Sequence, residues 1–274
     1  MKSFIHSGRA ELCVEDSQMP GPPLVCLHAG VCDRRMWAPQ VAALHATHRV
    51  IAYDRRGFGE TRFEPESYSH LADLMAVLDA LQIEQTVLMG CSQGGRFAID
   101  AALAFPDRVH ALVLVACAVS GAPEVDGGYS QRVQARVEAY EVAEQCGDQK
   151  AVNELEAQLW LDGPEQATGR VSGPLRELFL AMNGIALAAP SPGIEVAPPS
   201  AWERLEHLRL PVQIVWGTLD FAHLVTRMRE LAQRIPGAQP FVMEGVAHLP
   251  GLEQPEVFNA ALAAFLAGLQ RRAR

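Results

Sequence analysis

Residues 87–95 read VLMGCSQGG: an apolar run that ends on Gly90, a serine at position 92, then Gly94 and Gly95. A chain leaving a buried strand has no packing reason to put a hydroxyl there between glycines. A chemical reason exists. In a sharp strand-to-helix turn a serine can be held in a strained backbone conformation with its oxygen projecting outward. Strand and helix then pass so close that the residues two before and two after must be small. Gly90 and Gly94 occupy those places around Ser92, which makes the Gly-x-Ser-x-Gly pattern of a nucleophile elbow. An ordinary glycine-rich strand end would read the same way, so the flanking chain has to decide.

The flanking chain alternates. Apolar runs at 23–28, 49–54, 86–90 and 110–116 read as strands, and the segments 34–46, 69–83 and 93–105 read as helices. Met36, Trp37, Val41 and Leu44 share one face of the first helix, and Ser69 is placed to cap the second. The strands are continuous apolar runs, as expected of a parallel sheet covered on both faces. Two short strands, 3–7 and 10–15, precede this unit. Residues 121–200 break the alternation: they show helical pieces (129–146, 149–160, 174–183), no clear strand, and the Pro/Gly-rich stretch LAAPSPGIEVAPPS at 187–200. Then a helix (201–208), a strand (211–217), a helix (223–235), a strand (240–244) and a helix (255–269) resume the pattern. The expectation is one α/β core, residues 1–120 and 201–274, with a helical insertion at 121–200 after the sixth core strand.

Composition narrows the partners. The 274 residues are 49% hydrophobic and carry a formal net charge of -9. An acidic chain lacks the basic surface that nucleic acid or an anionic membrane needs. No apolar segment reaches the length of a bilayer span, and the N-terminus MKSFIHSGRAEL has no apolar signal region, so a cytoplasmic protein is expected. The six cysteines are dispersed and read as free buried thiols. No phosphate-cradling loop, dinucleotide glycine fingerprint or metal-ligand cluster is present in the sequence, which implies no cofactor and no metal.

A serine hydroxyl needs a base to take its proton and an acid to orient that base. In an open α/β sheet, reactive groups gather beyond the carboxyl ends of the strands. Asp220 follows the strand in IVWGTLD (214–220), and His248 follows the last strand in VMEGVAHLPGLEQP (242–255). The order Ser92, Asp220, His248 is the order expected on such a sheet. The oxyanion that forms during attack needs N–H donors. Gln93, at a helix N-terminus, offers one, and Gly30, in the loop LHAGVCDRRMW (27–37), offers the second.

LHAG, MWAPQ, VIAYDRRGFGET, VLMGCSQGG, the Gly-Thr-Leu-Asp ending at Asp220 and GVAHLPGLEQPEVF, taken in order, resemble the α/β-hydrolase family, nearest its small-ester and enol-lactone hydrolases. The resemblance implies a mostly parallel eight-stranded sheet with helices on both faces and a helical cap over the site. It implies a Ser92–His248–Asp220 triad with Gly30 and Gln93 as oxyanion hole, and a small-molecule ester or lactone as substrate. Val31, Trp160, Phe179 and Leu249 are the candidate pocket walls, with Met182 and His223 as further candidates. Arg34, Arg35 and Arg96 could hold a substrate carboxylate or simply be solvated, and Asp54 to Gly57 suggest a structural network. Departures from the family pattern bear on its branches. The first loop is His28-Ala29-Gly30, without the glycine-proline motif of carbon–carbon bond hydrolases, and Leu249 rather than tryptophan follows His248. Serine at 92 disfavours the aspartate-dependent branches, and Cys91 is expected to face the sheet. The reading leaves open a 3-oxoadipate enol-lactonase-like activity, carbon–carbon bond cleavage, a perhydrolase or non-haem haloperoxidase activity, a non-enzymatic ligand-binding role, and a homo-oligomer.

Overall fold

The structure is a computed structural model that describes residues 1–125 and 128–272. The expected segments 121–200 and 201–274 therefore include positions (126, 127, 273 and 274) that lie outside the described residues. In chain order the elements are β1 (Lys2–Ser7), β2 (Ala10–Asp16), β3 (Pro23–Leu27), α1 (Ala38–Leu44), β4 (Arg49–Tyr53), β5 (Arg62–Phe63), β6 (Glu66–Tyr68), α2 (His70–Ala80), β7 (Thr86–Cys91), α3 (Gln93–Ala104) and β8 (Val109–Val115). Then follow α4 (Gln131–Gln145), α5 (Gln149–Glu156), α6 (Pro174–Ala188), β9 (Gly193–Glu195), β10 (Val212–Gly217), α7 (Ala222–Arg234), β11 (Gln239–Met243), α8 (Pro250–Glu253) and α9 (Pro255–Arg272).

The main sheet runs β1-β2-β4-β3-β7-β8-β10-β11, with β5 added on β2. From β4 to β11 every neighbouring pair is parallel; β2 is antiparallel to β1, β4 and β5. Alternate residues of each strand point to opposite faces, and each face buries its own core. Val25, Leu27, Leu88 and Ile214 meet α2, α3 and α7 on one side. Leu24, Cys26, Met89 and Val215 meet α1 and α9 on the other. This second core continues into the insertion, where Ala157, Leu161, Phe179 and Met182 join it.

The structure departs from the sequence expectation in several places. Met36 and Trp37 lie in a 3-10 turn (Arg34–Trp37) capped by Asp33 rather than in α1 itself. A second 3-10 turn (Trp202–His207) stands where a helix was expected at 201–208. The Pro/Gly-rich stretch holds a strand: β9 pairs in parallel with β6, Tyr68 opposite Glu195, and ties the insertion to a core loop. That pairing depends on a segment over a hundred residues away, so local pattern cannot reveal it. Cys146 caps the end of α4 and is exposed; the other five cysteines are buried and all six are free. Among the described residues no helix is long and apolar enough to cross a membrane.

Candidate active site

Ser92 sits between β7 and α3 with φ +53° and ψ −118°, a conformation few non-glycine residues adopt. Its own backbone holds it there. The Ser92 N–H donates to Val115 O (2.9 Å), and its carbonyl accepts from Gly95 N (3.0 Å) and Ala118 N (3.0 Å). The small neighbours are required sterically: a Cβ at Gly90 would collide with the Gly94 backbone, and one at Gly94 with the Leu27 carbonyl. The strain is thus sustained by packing around it.

β10 and the loop after β11 bring two further groups to the same edge. Asp220 Oδ1 accepts from the Phe221 N–H (2.8 Å), and Oδ2 lies 2.7 Å from His248 Nδ1, both side chains buried. One carboxylate oxygen is fixed by backbone, so the other is aimed at the imidazole and selects the tautomer with its proton on Nδ1. The His248 carbonyl lies 3.7 Å from the Cys91 Sγ, next to the serine in sequence. Cys91 is buried in the sheet core, as expected, and burial pushes its thiol well above the ordinary range, which leaves it inert. Among the described residues no hydrogen bond joins the Ser92 hydroxyl to His248. Contacts of that kind commonly tighten only when substrate fills the site.

The insertion grips the histidine by its backbone. The His248 N–H donates to Trp160 O (3.3 Å), and the two rings meet at a tilt of 51° with their centroids 4.7 Å apart. Trp160 lies in a π-helical turn (Ala157–Asp162) where the sequence suggested plain helix. The helix ends at Asp162 and Gly163 turns away at φ +97°, so the Trp160 carbonyl, in the last turn, has no helical donor and is left for His248.

Gly30 and Gln93 are adjacent: a Cβ on Gly30 would lie 2.8 Å from Gln93 Cδ. Neither N–H is spent on an acceptor among the described residues. Beneath them lies Arg55, 2% exposed and, among the described residues, without a carboxylate partner. It donates to the carbonyls of His28 and Ala29 (3.3 Å each) and to Gln93 Oε1 (3.2 Å). His28 Nδ1 also donates to Ala29 O (2.7 Å), while its Nε2 accepts from the Arg55 N–H (3.1 Å). Carbonyl and N–H of a trans peptide point oppositely, so anchoring Ala29 O turns the Gly30 N–H away from Arg55. Burial, with Arg55 adding to it, holds the His28 pKa well below the ordinary value; burial also pulls Arg55 down to about 10. The sequence offers no mark of Arg55 in this role, since the lack of a counter-ion is a property of the fold.

The other candidates divide. Phe179, Leu249 and Met182 are buried in the second core cluster, and Val31 and Trp160 pack against it half-buried. His223 instead lines a cavity of about 510 Å³ with Ala118 and Tyr129. Arg34 is not solvated: it is buried against Asp54 and Glu60. Arg35 pairs with Asp33, and Arg96 with Glu195 on β9. Arg56 is held by Asp73 and Glu66, so the loop from Asp54 is the expected network.

A strained serine at a parallel-strand end, with a buried carboxylate–imidazole pair on the same edge, defines an enzyme built on the α/β-hydrolase fold. Residues 24–261 match the family described as the alpha/beta hydrolase family, and the chain belongs to that family. It is 29% identical over 248 residues (87% of this chain, 92% of the other) to the pimeloyl-[acyl-carrier protein] methyl ester esterase of Aeromonas hydrophila. It is 27% identical over 253 residues (91% and 90%) to 3-oxoadipate enol-lactonase 1 of Acinetobacter baylyi. Among solved structures, a thermophilic esterase from Thermogutta terrifontis superposes with a TM-score of 0.76 at 25% identity, covering 98% of this chain and 99% of that one.

Proposed function

We propose that the chain is a serine hydrolase of small carboxylic esters or lactones that works through an acyl-enzyme on Ser92 and needs no cofactor. Ser92 Oγ attacks the carbonyl as His248 Nε2 takes its proton, and Asp220 steadies the imidazolium. The Gly30 and Gln93 N–H groups receive the developing negative oxygen, and Arg55 keeps the Ala29–Gly30 peptide turned for it. His248 then passes the proton to the leaving alcohol, and water repeats the sequence on the acyl-enzyme. Segment 121–200 acts as the cap, with Val31, Trp160, Phe179 and Leu249 as the pocket walls and water excluded beneath it.

One observation carries the reading: the buried 2.7 Å pairing of His248 with Asp220 on the edge where Ser92 is strained. A methyl ester esterase and an enol-lactonase among the relatives support the substrate class. The test is turnover of a panel of 4-nitrophenyl esters and small lactones by the wild type and by Ser92→Ala. The wild type is expected to hydrolyse members of both sets and the variant none. Equal turnover by the two would refute the assignment.

A further inference from the structure

We propose that the cleft beside Gln93 is a carboxylate subsite, so that the substrate's acyl chain ends in a second, ionised carboxyl group. This rests on the serine reading above and names its substrate class: a half-ester or lactone of a short dicarboxylic acid.

The cleft has a volume of about 340 Å³ and lies between the core and the end of the insertion. Arg55, His70, Gln93, Arg96 and Phe97 line it from the core, and Glu195 of β9 from the insertion. Its charge is unbalanced. Arg56, also on its wall, is matched by Asp73 and Glu66, whereas among the described residues Arg55 has no carboxylate and Arg96 has Glu195 alone. Uncompensated buried charge is costly, and folds that retain it commonly use it. Three polar atoms on these walls are buried without a hydrogen-bond partner: Arg55 Nε, Arg96 Nε and His70 Nδ1. Arg55 is 2% exposed and His70 7%, so water does not readily serve them. The field in the cleft is positive: burial, then Arg55, Arg96 and Arg56, take His70 down to about 2, and its ring stays neutral.

Glu195 demonstrates the fit. It is a carboxylate delivered by the insertion onto Arg96, and both side chains are about a third exposed (27% and 30%). Glu195 stands on a three-residue strand at the rim of the cleft, so a ligand carboxylate takes its place on Arg96 by turning Glu195 out to solvent. Guanidinium suits it by presenting paired donors in a planar fork. The placement fixes which end of the substrate is acidic. The leaving alcohol must lie beside His248, which protonates it, and His248 stands against Trp160 on the insertion side. Gln93 stands beside Gly30 and also lines the arginine cleft, so the proposed acyl chain passes Gln93 to reach it. Arg96 follows Ser92 by one helical turn, about 5.4 Å of rise, which limits that chain to a few carbons.

The experiment compares kcat/KM for 4-nitrophenyl hydrogen glutarate with that for its neutral methyl ester, 4-nitrophenyl methyl glutarate. The acid is expected to be preferred by about ten- to a hundredfold, the usual value of a charge-assisted hydrogen bond. Arg96→Gln should bring the ratio close to one, and Glu195→Gln, on the exposed strand, should raise it. A wild-type ratio at or below one with both esters hydrolysed overturns the subsite and leaves the serine reading intact. A ratio unmoved by either variant overturns it as well. Turnover of neither ester, with Ser92 unlabelled by a fluorophosphonate, removes the serine reading and the subsite together.

Discussion

Ser92 and Trp160 both stand at backbone irregularities, and the chain makes them by opposite means. At Ser92 the irregularity is imposed by crowding: β7 and α3 come so close that only glycine fits at 90 and 94, and the serine takes φ +53°. At Trp160 it is made by ending the helix: Gly163 turns away at φ +97°, so the Trp160 carbonyl has no helical donor and holds His248. The first device strains a side chain into the open. The second leaves a backbone group free to fix the base. Segment 121–200 is therefore part of the frame that positions the histidine.

Removing the hydroxyl at the crowded end has the largest expected effect. Ser92→Ala should lower ester turnover by roughly 10^4-fold or more, with folding unchanged by circular dichroism; a residual rate near the wild type would end the comparison at once. Filling the crowded space comes next. Gly94→Ala drives a methyl group into the Leu27 carbonyl and should cost about 1–3 kcal/mol in urea unfolding. An unshifted midpoint would mean that the approach of strand and helix is looser than drawn.

Acid should separate the two regions. His28 and His70 flank the elbow side and are held neutral by burial, whereas residues 121–200 contain no histidine. Their folded pKa values lie below the unfolded value near 6.5, so below that pH the unfolded chain binds protons that the folded chain refuses. Stability is then full above about pH 6.5 and falls as the pH drops, by about 1.4 kcal/mol per pH unit for each imidazole. Urea unfolding at pH 6.5 and 5.5 measures this, and His70→Gln should make the slope shallower. A pH-independent midpoint over that interval would contradict the burial of these rings. The smallest effect is expected at the other irregularity. Gly163→Ala strains the φ +97° turn that frees the Trp160 carbonyl and should reduce kcat about two- to tenfold with little change in KM. An unaltered kcat would show that the insertion does not help to hold His248.

What the sequence made legible follows the same division. The alternation of apolar runs and helical faces places the core strands because each is a local property. The glycines around Ser92 signal the elbow because crowding must be met by the residues themselves. Asp220 and His248 could be named since each follows an apolar run closely. The β6–β9 pairing, the π turn and the isolation of Arg55 depend on partners far away in the chain, and no spacing records them. Arg34 illustrates the limit from the other side: its type suggested a surface cation, and only the fold buries it against Asp54 and Glu60. The helix stop after Asp162 is local, but what the freed Trp160 carbonyl does depends on an N–H more than eighty residues later.

The central claim is that Ser92 is acylated with His248 as its base. Intact-mass measurement after brief exposure to a fluorophosphonate, followed by peptide mapping, tests it directly. The account predicts one adduct per chain on the peptide carrying Ser92, formed far more slowly in His248→Gln and not at all in Ser92→Ala. Modification at another residue, or equal labelling of Ser92 with and without the imidazole, would contradict it.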